Sequence, residues 1–184
     1  MSIFFTSDNH FFHKNIMKFC PTTRFGESVG AMNNFMIQRW NQQVKPTDHV
    51  YCLGDFSFGT ADETYDVICR LNGLITLVYG NHDKVIRNNE HIQDLFTECV
   101  EYKEIRIDGK TIVMSHYPMR EWNKMHHGSI HLFGHVHGGL DHIEYGKSMD
   151  VGIDTRDPAD MGLWSWEEIE EKMSGRPVLE HSHK

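Results

Sequence analysis

What this chain lacks narrows its role before any residue is singled out. No stretch approaches the ~20 consecutive apolar residues of a membrane-spanning helix; the longest largely apolar run, Leu74 to Tyr79, is broken by Thr76. The start, Met1-Ser2-Ile3-Phe4-Phe5-Thr6, has neither the basic residues nor the cleavage pattern of a secretory leader, so a cytoplasmic location is expected. The four cysteines, Cys20, Cys52, Cys69 and Cys99, are scattered without a CxxC pair, and reduced thiols are expected rather than a disulfide frame. Positive charge is also short: 18 Lys and Arg against 26 Asp and Glu leave a formal net charge of −8. Binding along a duplex needs a basic face, so extended nucleic acid is disfavoured as a partner, whereas a small phosphate ester at a locally positive site is not. No repeat or low-complexity linker interrupts the 184 residues, a length that suits one domain, 1–184, with a substantial core.

What the chain has is histidine, 14 in all, and their placement matters more than their number. Five apolar runs end in groups that bind metals or move protons. Ile3-Phe4-Phe5-Thr6-Ser7 ends in Asp8-Asn9-His10, Val50-Tyr51-Cys52-Leu53 in Gly54-Asp55, and Leu74 to Tyr79 in Gly80-Asn81-His82-Asp83. Ile112-Val113-Met114-Ser115 ends in His116, and Ile130-His131-Leu132-Phe133 in Gly134-His135-Val136-His137. Short apolar runs bounded by polar residues read as buried strands. Between them, Met32, Phe35, Met36 and Trp40 predict an amphipathic helix over 29–44, closed before Pro46. Asp62 to Leu71 reads as a second helix, capped by Thr60 or Asp62. Glu101–Ile107 and Thr111–Ser115 around Asp108-Gly109 read as a hairpin with a type I′ turn. His142–Tyr145 is expected to pair with Lys147–Val151 across Gly146, Trp166–Met173 to form an acidic helix, and the tail from Gly175 to fray, with His126, His127, His142, His181 and His183 exposed.

Strands alternating with helices, plus one hairpin, predict an α/β fold with mixed sheets, where ligands collect beyond the carboxyl ends of strands. The five ends supply Asp8, His10, Asp55, Asn81, His116, His135 and His137. Any one alone would be read as a strand cap. Seven N and O donors exceed the roughly four to six that one ion takes, and suit two ions sharing a carboxylate.

The order of these blocks resembles the calcineurin-like metallophosphoesterase superfamily, whose pattern is D-x-H, G-D, G-N-H-D/E, H and G-H-x-H. All five stand here in order between residues 8 and 137. Asp8 to Asn15 and Leu53-Gly54-Asp55-Phe56 also resemble small phosphoesterases of bacteria and phages. The resemblance implies a four-layer αββα sandwich, two mixed β-sheets flanked by helices. It implies a first metal on Asp8, His10 and His137, a second on Asn81, His116 and His135, and Asp55 bridging them. It implies two divalent ions, with Mn, Fe, Zn or Ni suiting the imidazole, amide and carboxylate donors. The activity it implies is phosphoester hydrolysis, with a lean to phosphodiesters, by in-line attack of a metal-bridging hydroxide. His82 would contact phosphate or protonate the leaving oxygen, and Asp83 would orient it.

Substrate candidates are Arg24, Arg120 and Arg156 for gripping phosphate or substrate, Tyr117 and Trp122 for stacking on a base, and His13, which could touch substrate or support a metal ligand. The alternatives to a diesterase are a phosphomonoesterase or dinucleoside polyphosphate hydrolase, a non-catalytic scaffold of the same fold, or a protein with one structural zinc. The complete donor set disfavours the scaffold.

Overall fold

The computed structural model describes every residue except Phe25, Pro158, Ala159 and residues 181–184. The expectations for His181 and His183 therefore lie outside the described residues. Along the chain, β1 (Ile3–Thr6) leads through α1 (Ile16–Phe19) to α2 (Val29–Gln43) and β2 (His49–Cys52). Next come α3 (Ala61–Arg70), β3 (Leu74–Val78), α4 (Lys84–Arg87), α5 (Glu90–Gln93) and β4 (Glu98–Val100). The hairpin of β5 (Lys103–Ile107) and β6 (Lys110–Met114) is followed by β7 (Ile130–Phe133), β8 (Ser148–Asp150), β9 (Trp164–Ser165) and α6 (Trp166–Ser174).

Side-chain alternation explains the layering. In β1, Phe4 joins the core under the helices while Phe5 points the opposite way, into a core shared by the two sheets. The first sheet runs β4-β3-β2-β1-β9, parallel except for β9; the second runs β5-β6-β7-β8, with β5 antiparallel. Phe5, Leu53 and Val78 from the first sheet meet Ile112, Met114, Ile130, Leu132 and Met149 from the second. Strands covered on both faces are mostly apolar, which is why β3 and β7 read as apolar runs broken only by Thr76 and His131. Met32, Met36 and Trp40 of α2 and Val67 and Ile68 of α3 pack on the other face of the first sheet. The outer face of the second sheet is covered by Trp122 and by Met125 of a 3₁₀ turn, Met125–His127, packed on Val113.

Local signals place the ends. Thr60 begins α3 with a reciprocal capping box: its side chain accepts from the Glu63 N–H, and the Glu63 carboxylate accepts from the Thr60 N–H at 2.8 Å. Asp108 and Gly109 both have positive φ, 49° and 79°, as a type I′ turn needs. Two expectations fail. Residues 142–145 form no strand; β8 instead pairs parallel with β7, which buries Met149, whereas 141–145 is exposed throughout. Nor does the tail fray at once: Leu179 packs against the outer core, and His126, expected to be exposed and idle, donates Nδ1–H to the Leu179 carbonyl at 2.9 Å. All four cysteines are free, and no described helix is long and apolar enough to cross a membrane.

His131 in β7 is fully buried beside Trp122, at 5.3 Å between ring centroids. Its Nδ1–H donates to the Val113 carbonyl at 3.2 Å, and its Nε2 accepts the Met119 N–H at 3.0 Å, which fixes the neutral tautomer. Burial lowers its pKa from 6.5 to about 4. The unfolded chain takes up this proton at a higher pH than the native one. Stability from this residue is therefore complete above pH 6.5 and drains away as pH falls towards 4, by about 3 kcal/mol at most. Chemical unfolding at pH 7 and pH 4.5 should show a steeper pH loss for the native protein than for His131→Asn; equal slopes would refute this.

Candidate metal centre

Asp8 and His10 follow β1, Asp55 follows β2, Asn81 follows β3, His116 follows β6, and His135 and His137 follow β7. Five of them turn out of their strands in left-handed backbone: Asp8 (φ 54°), His10 (49°), Asp55 (53°), His135 (72°) and His137 (48°). That conformation costs a non-glycine residue about 1–3 kcal/mol, and such strain collects at functional sites. Two glycines let the tips close in. A Cβ on Gly134 would lie 2.5 Å from Asp8 Oδ2, with Ser7 Oγ nearer still, and one on Gly80 would fall inside the Asp55 carboxylate.

The donors gather in two groups. Ligand atoms of Asp8, His10 and His137 lie within 4.8 Å of one another, as do those of Asp55, His116 and His135. Asp55 touches both: its Oδ2 is 3.6 Å from His10 Nε2 and 3.5 Å from His116 Nε2. Asn81 Oδ1 lies 3.0 Å from His116 Nε2. His116 donates Nδ1–H to the Leu53 carbonyl at 2.7 Å, so its Nε2 is a lone pair facing the amide oxygen.

These donors fit divalent ions. Ligand bonds of about 2.0–2.2 Å set neighbouring donors roughly 3.0–3.6 Å apart, and close to this stand Asn81 and His116 at 3.0 Å, His116 and Asp55 at 3.5 Å, His10 and Asp55 at 3.6 Å, and His137 and Asp8 at 3.8 Å. Asp8 Oδ1 and His10 Nε2 are buried without any hydrogen-bond partner, a cost that folding tolerates when a cation satisfies both. Burial raises the Asp8 carboxyl, but the His10 and His137 imidazoles and the Ser7 hydroxyl bring it below its usual value, so it is a carboxylate.

The supporting groups are not among the residues expected from the sequence. Asp154 accepts Nδ1–H of His137 at 2.7 Å, leaving Nε2 for a ligand role. Despite burial, His137 and Arg24 hold Asp154 far below the ordinary carboxylate range. Cys20 also lies near, but the His137 Nδ1 proton goes to Asp154 and burial pushes the thiol up to about 11, so it stays protonated. Asp150, at the end of β8, accepts the N–H groups of Gly138 and Gly152 at 2.9 and 2.7 Å. Burial and the nearby Asp8 push it up to about 7. A strand ending in a carboxylate was the signal that could have found it.

Several expected roles change. Asp83 does not orient His82. Its buried carboxylate accepts the N–H groups of Gly80 (2.7 Å), Phe56 (2.8 Å) and Asp55 (2.9 Å), tying two strand ends together. His82 is positioned through its backbone N–H on Asp55 Oδ1 at 2.8 Å, and its Nε2 stands 4.0 Å from Asp55 Oδ2. Arg24 is not free to grip phosphate: it is 1% exposed, donates twice to Asp154 at 2.8 and 2.9 Å, and donates to the carbonyls of Asn9 (2.7 Å) and Asp8. Arg156 pairs with Asp160 and Glu168 over the Trp164 ring. Trp122 is buried, donating to the Ser129 carbonyl, so it has no face for a base. Arg120 lines a separate cavity of about 400 Å³ with Phe133 and Ile143. His13 and Tyr117 do sit at the cluster. His13 Nδ1 is 3.3 Å from His10 Nδ1, and the half-exposed Tyr117 donates its O–H to Asn81 Oδ1 at 3.2 Å while its ring stands against His135.

Two stacked mixed sheets, helix-flanked, with paired aspartate and histidine sets at their strand tips, define an α/β metallohydrolase. More narrowly, the chain belongs to the calcineurin-like phosphoesterase superfamily, whose domain matches residues 1–147. It is 32% identical over 159 residues to protein MJ1445 of Methanocaldococcus jannaschii, covering 83% of this chain and 81% of that one. It is 24% identical over 181 residues to the gene 66 protein of Mycobacterium phage D29, covering 83% and 88%. The crystal structure of AQ665 from Aquifex aeolicus, a protein of unknown function, superposes with a TM-score of 0.73 at 26% identity, covering 93% of this chain and 98% of that one. The protein is a metal-dependent phosphoester hydrolase, and the family implies divalent ions.

Proposed function

We propose that the protein is a phosphodiesterase working with two divalent transition-metal ions. Asp8, His10 and His137 would hold one, Asn81, His116 and His135 the other, with Asp55 shared. The observation that carries the diester reading is a pair of clefts, one on each donor group. The first, about 560 Å³, is bordered by His10, His137, His82, His13 and Phe58. The second, about 360 Å³, is bordered by Asn81, His116, Tyr117, Arg87 and Glu101. A diester has two organic arms and needs room on both sides of phosphorus; a monoester needs it on one.

When bound, the ions would lower the pKa of water and screen the phosphoryl charge. The remaining work falls to the chain. Asp83 braces the loops that carry Asp55 and Asn81. His82, anchored by its backbone to Asp55, presents its imidazole at the mouth of the first cleft, where it can give a proton to the departing oxygen. The mixed imidazole, amide and carboxylate donors favour Mn, Fe, Zn or Ni over Ca or Mg.

The deciding experiment compares bis(p-nitrophenyl) phosphate with p-nitrophenyl phosphate on protein reconstituted with manganese or nickel. A kcat/KM favouring the diester is expected; the reverse ratio would make this a monoesterase, and no turnover with any transition metal in folded protein would favour a scaffold. His82→Ala should keep both ions by elemental analysis yet lose about 10²–10⁴-fold in turnover. Full activity in that variant would remove His82 from the chemistry.

A further inference from the structure

We propose that the first cleft seats a planar, uncharged aromatic ring of the substrate, such as a nucleobase, with Phe19 and Phe58 as its walls. This inference deepens the phosphodiesterase reading and rests on it.

The two clefts differ in chemistry. The second is polar, with Arg87 and Glu101 paired across it. The first is lined by His10, His13, Ile16, Phe19, Cys20, Phe58, His82 and His137, with no Lys, Arg, Asp or Glu among them. A charged or heavily hydroxylated arm would lose its water there without gaining partners, whereas a flat ring finds aromatic faces.

Phe19, the last residue of α1, is 70% exposed and Phe58 is 38% exposed, at positions where a polar residue would be cheaper. Phe58 is packed in place. Phe58 stacks on His13 at 4.0 Å between ring centroids and 9° between planes, and meets His82 at 4.6 Å. His13 in turn stands 6.2 Å from Phe19. The rings therefore form a continuous aromatic wall from Phe19, through His13 and Phe58, to His82, and His10 stacks on the same wall beside Asp8 and Asp55. A substrate ring resting on it would leave its phosphate facing the donor groups. Exposed aromatic rings beside an anion site are how base-bearing ligands are held without reading their sequence.

The test uses two ligands that share a sugar phosphate and differ in the base. Manganese-loaded protein is titrated by calorimetry with adenosine 5′-monophosphate and with ribose 5-phosphate. The nucleotide should bind about tenfold more tightly, the scale of stacking one base on an aromatic side chain. The ratio should fall below threefold in Phe19→Ser and in Phe58→Leu. Saturation-transfer NMR on the same samples should mark the base protons more strongly than the ribose protons. Equal affinities in the unmodified protein, failure of both ligands to bind, or a preference that survives both substitutions would overturn the aromatic seat. Loss of all bis(p-nitrophenyl) phosphate turnover in the loaded protein would instead defeat the phosphodiesterase reading, and the affinity ratio would still decide the seat.

Discussion

Asp55→Asn is expected to give a folded protein that keeps at most one ion per chain and has lost nearly all turnover. Asparagine preserves the shape of the side chain and, through Oδ1, the acceptor for the His82 N–H, so the loops should stay in place. What it removes is the negative charge at the oxygen standing 3.6 Å from His10 and 3.5 Å from His116. A neutral amide could not offer both donor groups the anion that would offset the two proposed dications. Removing a residue that merely supports a ligand costs about 10–100-fold in metal affinity or activity, and losing a donor shared by both groups should cost more. Elemental analysis beside an unfolding curve checks this. Two retained ions with near-normal turnover would show that Asp55 does not join the groups.

Arg24→Met should have the largest effect on stability, a loss of about 3–5 kcal/mol, the usual cost of leaving one member of a buried ion pair without its partner. The side chain is enclosed, and both its hydrogen-bonding edges are in use. Its removal leaves the Asp154 carboxylate in the interior with Thr23 and His137 as remaining partners, and strips the Asn9 and Asp8 carbonyls of their donors. Against a typical domain stability of about 5–15 kcal/mol, that is a large share. Adding Asp154→Asn should recover part of the loss, because the uncompensated charge goes with it. Urea denaturation measures both variants; a loss below about 1 kcal/mol for Arg24→Met would mean the guanidinium is not holding the turn after β1.

The same arginine shows where sequence reading stops. Its type suggested phosphate binding, and nothing near it in the chain announces Asp154, 130 residues away. The strand ends were legible because each is local: an apolar run, a tight turn and a residue with a donor side chain fall within a few positions. Asp83 was legible as part of a motif but not in its target, since a carboxylate serving backbone N–H groups leaves no mark on the residues that supply them. β4 and β9 were missed because three and two residues give no periodicity to read. Gly146 suggested a hairpin; the free parallel edge of β7, which that stretch cannot advertise, won instead.

The donor groups draw on both halves of the sandwich. Asp8, His10, Asp55 and Asn81 hang from the first sheet, and His116, His135 and His137 from the second. The site therefore straddles the seam between the two, and the Asp8 carboxylate already crosses it to take the His135 N–H. Any ion held there is also a rivet: separating the sheets would first require tearing its ligands apart. Metal loading should thus fasten the sandwich as a whole.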